Sequence, residues 1–143
     1  MITSCLFLMS NLVRCDPISS YGCDKLATEL NAYFLAHDYN LAVMGLRFFN
    51  VYGPNQRANS PYAGVITNFI TKLLQNQPLV VFGDGNQTRD FVFVTDIVTN
   101  LLHAMQNLSV GSTVVNICSG RKTTINELGP YTLKKRKPIT AKL

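Results

Sequence analysis

The chain contains no tryptophan, two histidines and four cysteines in 143 residues. Cys5, Cys15, Cys23 and Cys118 form no C-x-x-C pair, and His37 and His103 stand apart from them, so the ligand spacing of a zinc or iron–sulfur site is missing. No apolar run approaches the about 18 residues of a membrane span. The N-terminal MITSCLFLMSNLVRC lacks the basic region and small-residue cleavage site of an export signal. These absences point to a cytoplasmic compartment, reduced thiols and no membrane partner. Acidic residues are absent from 131–143 (YTLKKRKPITAKL), which holds five of the 13 Lys and Arg residues. The net charge of +5 therefore belongs to this tail, and the balanced remainder offers no basic groove for nucleic acid. The run Lys134–Lys137 also reads as a nuclear signal or phosphate patch, although a solvated terminus explains it as well. None of the nine glycines makes G-x-x-G-x-x-G or G-x-G-x-x-G, the turn that holds a dinucleotide pyrophosphate at a helix N-terminus.

What is present is a globular composition, 47% apolar and 15% charged, long enough for one domain with a core. Leu26, Leu30, Tyr33 and Phe34 recur at helical steps over Ser20–His37. LAVMGLRFF (41–49) is a continuous apolar run suited to a strand covered on both faces. After a polar loop at 55–63, GVITNFITKLLQN (64–76) is again helical, and Pro78–Phe82 reads as a short strand. Gly83-Asp84-Gly85-Asn86 is a tight turn, and Arg89–Val94 alternates like a strand. Asp96 is placed to N-cap a helix reaching about Asn107, which Gly111 closes. STVVNIC (112–118) is another strand, and Thr123/Thr124 open a last helix with Glu127 in its first turn. The predicted order starts with a helix and alternates with strands, an α/β layered fold with crossover connections.

Tyr21 and Lys25 stand four residues apart, hence on one helix face. A phenol with a pKa near 10 is a poor base at neutral pH, and an adjacent ammonium favours the phenolate. Such a pair can take a proton from a sugar hydroxyl. Alone the spacing says little, since Tyr131 and Lys135 repeat it by accident in the tail. The context is more specific. Pro17-Ile-Ser-Ser-Tyr21-Gly-Cys-Asp-Lys25-Leu-Ala-Thr-Glu29 is followed by Leu46-Arg-Phe-Phe-Asn50-Val-Tyr-Gly-Pro54, then Ser60-Pro-Tyr62 and Gly64-Val-Ile66. Pro78-Leu-Val-Val-Phe-Gly83-Asp-Gly85-Asn-Gln-Thr-Arg89-Asp90-Phe-Val-Phe-Val94 comes next. Val115-Asn116-Ile-Cys-Ser-Gly120 and Thr124-Ile-Asn-Glu127-Leu complete the succession. From Pro17 to Leu128 it resembles the NAD-dependent epimerase/dehydratase family, the extended short-chain dehydrogenases that act on nucleotide sugars.

The resemblance implies the C-terminal portion of a Rossmann-like NAD(P)-binding domain plus part of the smaller substrate-binding domain. Residues 1–16 and the basic segment 129–143 fall outside the match. It implies Tyr21 as catalytic base and Lys25 as the residue that holds the nicotinamide ribose, with the Phe49 backbone at the nicotinamide end. Asn50 and Arg89 would meet the diphosphate of a UDP-sugar, a guanidinium offering the bidentate donors that Lys lacks. Val65 and Ile66 would line the nucleotide pocket, and Val80, Val81 and Phe82 would flank the uracil. Each has a plain alternative: turn formation for Asn50, core packing for the five apolar residues, and an ion pair with Asp90 or Asp84 for Arg89. Cys23 and Asp24 carry no chemistry in this reading, and Asp90 and Asp96 are structural carboxylates. The implied activity is that of a UDP-glucose 4-epimerase-like enzyme using NAD. The alternatives are a 4,6-dehydratase or UDP-glucuronate decarboxylase relative, or a non-catalytic remnant with a partial UDP pocket. A homodimer or a separately encoded N-terminal half is the implied partner. The family's upstream Ser or Thr, glycine loop and adenosine-ribose acid have no counterpart here, so truncation at both ends and little autonomous catalysis are expected.

Overall fold

The computed structural model describes residues 6–7, 15–58, 60 and 63–134. In chain order the elements are β1 (Leu6–Phe7), α1 (Ser20–Asp38), β2 (Ala42–Phe48), β3 (Asn50–Tyr52), α2 (Val65–Leu74) and β4 (Thr88–Arg89). They continue with β5 (Phe91–Phe93), α3 (Val94–Gln106), β6 (Gly111–Ile117), β7 (Thr123–Thr124) and α4 (Ile125–Lys134). Two units result, Met1–Phe49 with Thr95–Ser119, and Asn50–Val94 with Gly120–Leu143.

In the first unit α1 begins where the Ser19 hydroxyl accepts the Gly22 N–H at 3.1 Å, an N-cap that satisfies one of the orphan donors of the first turn. It ends before Asn40, whose φ of +53° lies in the left-handed region that Asn tolerates. The apolar run then forms β2, which pairs in parallel with β6 from Ala42 opposite Gly111 to Phe48 opposite Ile117. Parallel pairing requires a crossover, and α3 is the helix that leads from it into β6. Met44 and Leu46 face α3 across a cavity of about 250 Å³, while α1 packs on the same two strands. Val115, Asn116 and Ile117 are consecutively buried, the mark of a strand covered on both faces. Ala36 and Ile97 complete the buried positions of this unit among the described residues.

The expectation that the chain opens with a helix is corrected by β1, which pairs antiparallel with the outer edge of β6. A two-residue strand has no periodicity to read. Asp96 is not the N-cap of α3, because the helix already starts at Val94; its carboxylate stands in the first turn, where the helix dipole favours it. Gly111 opens β6 instead of closing α3, with φ at +113°.

The second unit holds two small ladders and a helix pair. β3 and β5 pair in parallel, and β4 pairs antiparallel with β7. Tyr52 packs edge-on against Phe91 and Phe93 at 6.4 and 5.4 Å between ring centroids. Phe69 of α2 meets Ile125 and Leu128 of α4, with Val65, Ile66, Leu79 and Phe91 around them. The expected strand at Arg89–Val94 is divided. Thr88–Arg89 and Phe91–Phe93 join different partners on either side of Asp90, and Val94 is already helical. Pro78–Phe82 forms no strand, since no described neighbour offers it a ladder; Gln87 Nε2 donates to the Phe82 carbonyl at 2.8 Å.

The Gly83–Asn86 turn is present as read. Gly83 and Gly85 have φ of +74° and +75°, and Asp84 Oδ1 accepts the Asn86 N–H at 3.0 Å. That hydrogen bond, followed by one from the Asn86 side chain, holds the Asp84 carboxyl below its ordinary range. Asn126 fixes the turn from α4. Its N–H donates to the Gly85 carbonyl and its Nδ2 to the Asp84 carbonyl, both at 3.0 Å. α4 itself starts in a reciprocal box: Thr124 Oγ1 accepts the Glu127 N–H at 3.1 Å, and a Glu127 oxygen accepts the Thr124 N–H at 2.8 Å. A methyl group on Gly85 would stand 2.0 Å from Asn126 Oδ1 and force a left-handed backbone on a residue that resists it. Gly85→Ala should therefore lower stability by about 1–3 kcal/mol in urea unfolding, and Gly83→Ala, whose added carbon meets no atom within 4 Å, by less.

Candidate functional site

The face of α1 that carries Tyr21 and Lys25 borders a cleft of about 640 Å³ in the first unit. The Lys25 ammonium stands over the Tyr21 ring, 5.3 Å from its centroid. A cation at that distance is attracted by the ring's negative face. Tyr21 is 60% exposed, so its phenol is reachable from solvent. One turn further on, Glu29 is the third polar residue of the same face, and opposite it Arg47 projects from β2 into the same cleft.

Glu29 and Arg47 form a bidentate fork, with Nε to Oε1 at 2.7 Å and Nη2 to Oε2 at 2.5 Å. Both side chains are partly buried, at 23% and 32% exposure. The hydrogen bond from Arg47 holds the Glu29 carboxyl below the usual carboxylate range, against a smaller opposing effect of burial. The reciprocal bond from Glu29 raises the guanidinium further above its already high value. Arg47 Nη2 also donates to Cys15 Sγ at 3.2 Å, which ties the segment before α1 to the same guanidinium. Asp16 and Phe48 line the cleft beside these groups. At the end of β2, Phe49 donates its N–H to the Ile117 carbonyl at 3.1 Å and leaves its half-exposed ring outside the ladder.

The remaining candidates belong to the second unit. Asn50 opens β3, with its N–H and Nδ2 donating to the Asp90 carbonyl at 3.0 and 3.1 Å. Asp90 Oδ2 in turn accepts the Gly120 N–H at 2.8 Å, which makes Asp90 the structural carboxylate that its sequence context implies. Arg89 is exposed on β4. Its Nη1 donates to the Thr88 carbonyl at 2.8 Å, and among the described residues it makes no ion pair with Asp84 or Asp90. Val80, Val81 and Phe82 lie at 48, 37 and 83% exposure in an irregular segment, so they are surface groups and not core. Val65 and Ile66 pack against the Phe69 cluster, as the core alternative requires. Ile66 also lines a cavity of about 420 Å³ together with Tyr52, Gln56, Thr67 and Phe93.

Three of the sequence candidates (Tyr21, Lys25 and Phe49) thus sit on the first unit and seven on the second. Motif reading missed the Glu29–Arg47 fork. The signal was available: a charged residue inside the apolar run AVMGLRF needs a partner when the strand is covered. Among the described residues no group of three His, Cys, Asp or Glu side chains could hold a metal ion. No helix among them is long and apolar enough to cross a membrane.

The parallel α/β layer of the first unit is the fold of the extended short-chain dehydrogenases. The chain belongs to the NAD dependent epimerase/dehydratase family, whose model matches residues 9–118. It is 42% identical over 113 residues to a provisionally named UDP-glucose 4-epimerase of Methanocaldococcus jannaschii, an alignment covering 79% of this chain and 36% of the relative. The structure of UDP-glucose 4-epimerase from Thermotoga maritima with UDP-glucose superposes at a TM-score of 0.75 and 38% identity, over 86% of this chain and 40% of the other. UDP-glucuronic acid 4-epimerase from Bacillus cereus, solved with UDP-glucuronic acid and NAD, superposes at 0.77 and 29% identity, over 90% and 40%. The chain thus spans between a third and two fifths of the length of these relatives.

The donor set of the first-unit cleft suits a ribose and a small polar ring. Lys25 and Tyr21 offer an ammonium and a phenol, while the guanidinium beside them is already forked onto Glu29. It fits the nicotinamide-ribose end of NAD.

The fork makes stability depend on pH in a defined direction. Glu29 has a lower pKa folded than unfolded, so its contribution is complete above the unfolded value, about 4.3, and is lost as pH falls through the folded value. Glu29→Gln should lower stability at pH 7 by about 1–2 kcal/mol, between exposed and buried ion pairs. The variant's acid unfolding limb below about pH 4.3 should be shallower than that of the parent in pH-dependent chemical denaturation.

Proposed function

We propose that the chain carries the proton-transfer and diphosphate-binding portions of a UDP-glucose 4-epimerase-like nucleotide-sugar epimerase. The observation that carries this reading is the Lys25 ammonium standing over Tyr21 on one exposed helix face beside a cleft. NAD, when bound, would supply the hydride acceptor and donor for the sugar C4. Tyr21 takes the 4-hydroxyl proton at Oη as that hydride departs, and later returns a proton to the same oxygen. Lys25 holds the ribose hydroxyls of the nicotinamide nucleotide and keeps positive charge beside the phenol. The Phe49 backbone meets the nicotinamide end.

The second unit's share is the UDP moiety. Arg89 uses one N–H on Thr88, and the guanidinium's remaining donors suit the two phosphates. Asn50 has a second Nδ2 hydrogen and Oδ1 beyond its bond to Asp90. Val80, Val81 and the Phe82 ring supply an apolar surface for the uracil, and Val65 and Ile66 the wall next to it.

Calorimetric titration with UDP tests the second unit directly. The parent chain should bind, and Arg89→Ala should weaken binding roughly 10- to 100-fold, the value of a charge-assisted bidentate contact. Tyr21→Phe should leave UDP affinity unchanged while abolishing any interconversion of UDP-glucose and UDP-galactose in the presence of NAD. Equal affinity in parent and Arg89→Ala would overturn the assignment of Arg89. UDP binding without interconversion by the parent would reduce the function to a partial UDP pocket.

A further inference from the structure

Lys25 lies between two partners on its own helix, with Tyr21 one turn before it and Glu29 one turn after it. Residues four apart on a helix are neighbours, and a Lys–Glu pair at this spacing attracts. Left to itself, the ammonium would turn to the carboxylate, because a full negative charge attracts it more strongly than a ring face does. In the structure it does the opposite and stands over the Tyr21 ring. Across the cleft, Arg47 occupies both oxygens of Glu29 in a fork.

We propose that Arg47 is a positioning residue that sequesters the Glu29 carboxylate and thereby directs the Lys25 ammonium onto Tyr21. The proposal deepens the proposed proton-transfer role of the Tyr21–Lys25 pair and rests on it for its functional meaning. Arg47 acts by removing the competing partner of Lys25. Arg suits this task better than Lys, because its planar donors match both carboxylate oxygens at once and offset the Glu29 charge in one fixed geometry. The bond from Arg47 Nη2 to Cys15 Sγ gives the guanidinium a further hold besides Glu29. The charged and titratable groups around Lys25 in the cleft are Asp16, Tyr21, Glu29, Arg47 and the Cys15 thiol.

The test reads the position of Lys25 without requiring catalysis. In the full chain labelled with ¹³C-lysine, the Lys25 methylene next to the ammonium should be shifted upfield by the Tyr21 ring, and Tyr21→Leu should abolish that shift. Arg47→Met should also abolish it, because the released carboxylate draws the ammonium away. Glu29→Gln, which breaks the same fork from the other side, should preserve it. The double variant Arg47→Met/Glu29→Gln should preserve it too, and it leaves no uncompensated charge to impair folding. A role that only fastens α1 to β2 predicts the same response to both single variants.

Retention of the upfield shift in folded Arg47→Met, or its loss in Glu29→Gln or the double variant, would overturn the proposal. These outcomes stand apart from the enzymatic reading, which fails if UDP-sugar interconversion and UDP binding are absent while the Lys25 signals behave as described.

Discussion

A charged side chain inside an apolar strand must be neutralised where it stands, and Arg47 imposes that constraint on the first unit. Its partner comes from α1, so the ion pair ties helix to strand at one defined register. A hydrophobic contact between α1 and β2 would tolerate a slide along the helix axis. A bidentate fork does not, because both N–H···O bonds must be met together. Tyr21 and Lys25 inherit their position from this point, being on the same helix face two turns and one turn away. The constraint also explains why the helix can leave Leu30, Tyr33 and Phe34 about half exposed and still have a fixed place on the sheet.

The second unit reaches order by another route. Its strands are two or three residues long, too short for a ladder to hold alone. Side chains supply the missing definition. Asp90 receives Gly120 through its carboxylate and Asn50 through its carbonyl. Asn126 bonds the Gly83–Asn86 turn from α4. These polar residues are turn and junction pieces around the Phe69, Ile125 and Leu128 cluster, which supplies the apolar burial. Interrupting the strand at Asp90 allows Arg89 and Phe91 to serve different ladders, so the guanidinium stays at the surface while the phenyl ring joins the cluster.

Much of this was legible in the sequence because it depends on local signals. α1, α2 and the apolar run of β2 follow from periodicity, and the glycine turn and the Thr124–Glu127 box follow from short-range chemistry. What escaped depends on partners distant in sequence. The strand expected at Pro78–Phe82 had the right composition and found no ladder among the described residues; β1 is a strand only because the edge of β6 accepts it. Asp96 looked like a cap because Asp favours that position, but Val94 had already entered the helix from β5. The motif match singled out Tyr21, Lys25 and Arg89 and passed over the pairing of Glu29 with Arg47, which closes an 18-residue separation; the charge inside the apolar run called for a partner without naming it.

The arginines Arg47 and Arg89 show why identity at a position does not define a role. Both carry the same planar donors, and both stand on strands near candidate ligand surfaces. Arg47 is bound to a carboxylate and a thiol and partly buried, so a phosphate approaching it would have to displace an ion pair already in bidentate geometry. Arg89 is exposed and holds one neutral carbonyl, which an anion can supplement without displacing anything charged. Exchange of a carboxylate for a phosphate at Arg47 gains little, since one charged fork replaces another and leaves Glu29 partly buried and unpaired. At Arg89 the same phosphate would gain its whole charge-assisted contact. The difference lies in what each guanidinium already holds, and it supports the proposed anion binding at Arg89 and the proposed positioning role of Arg47.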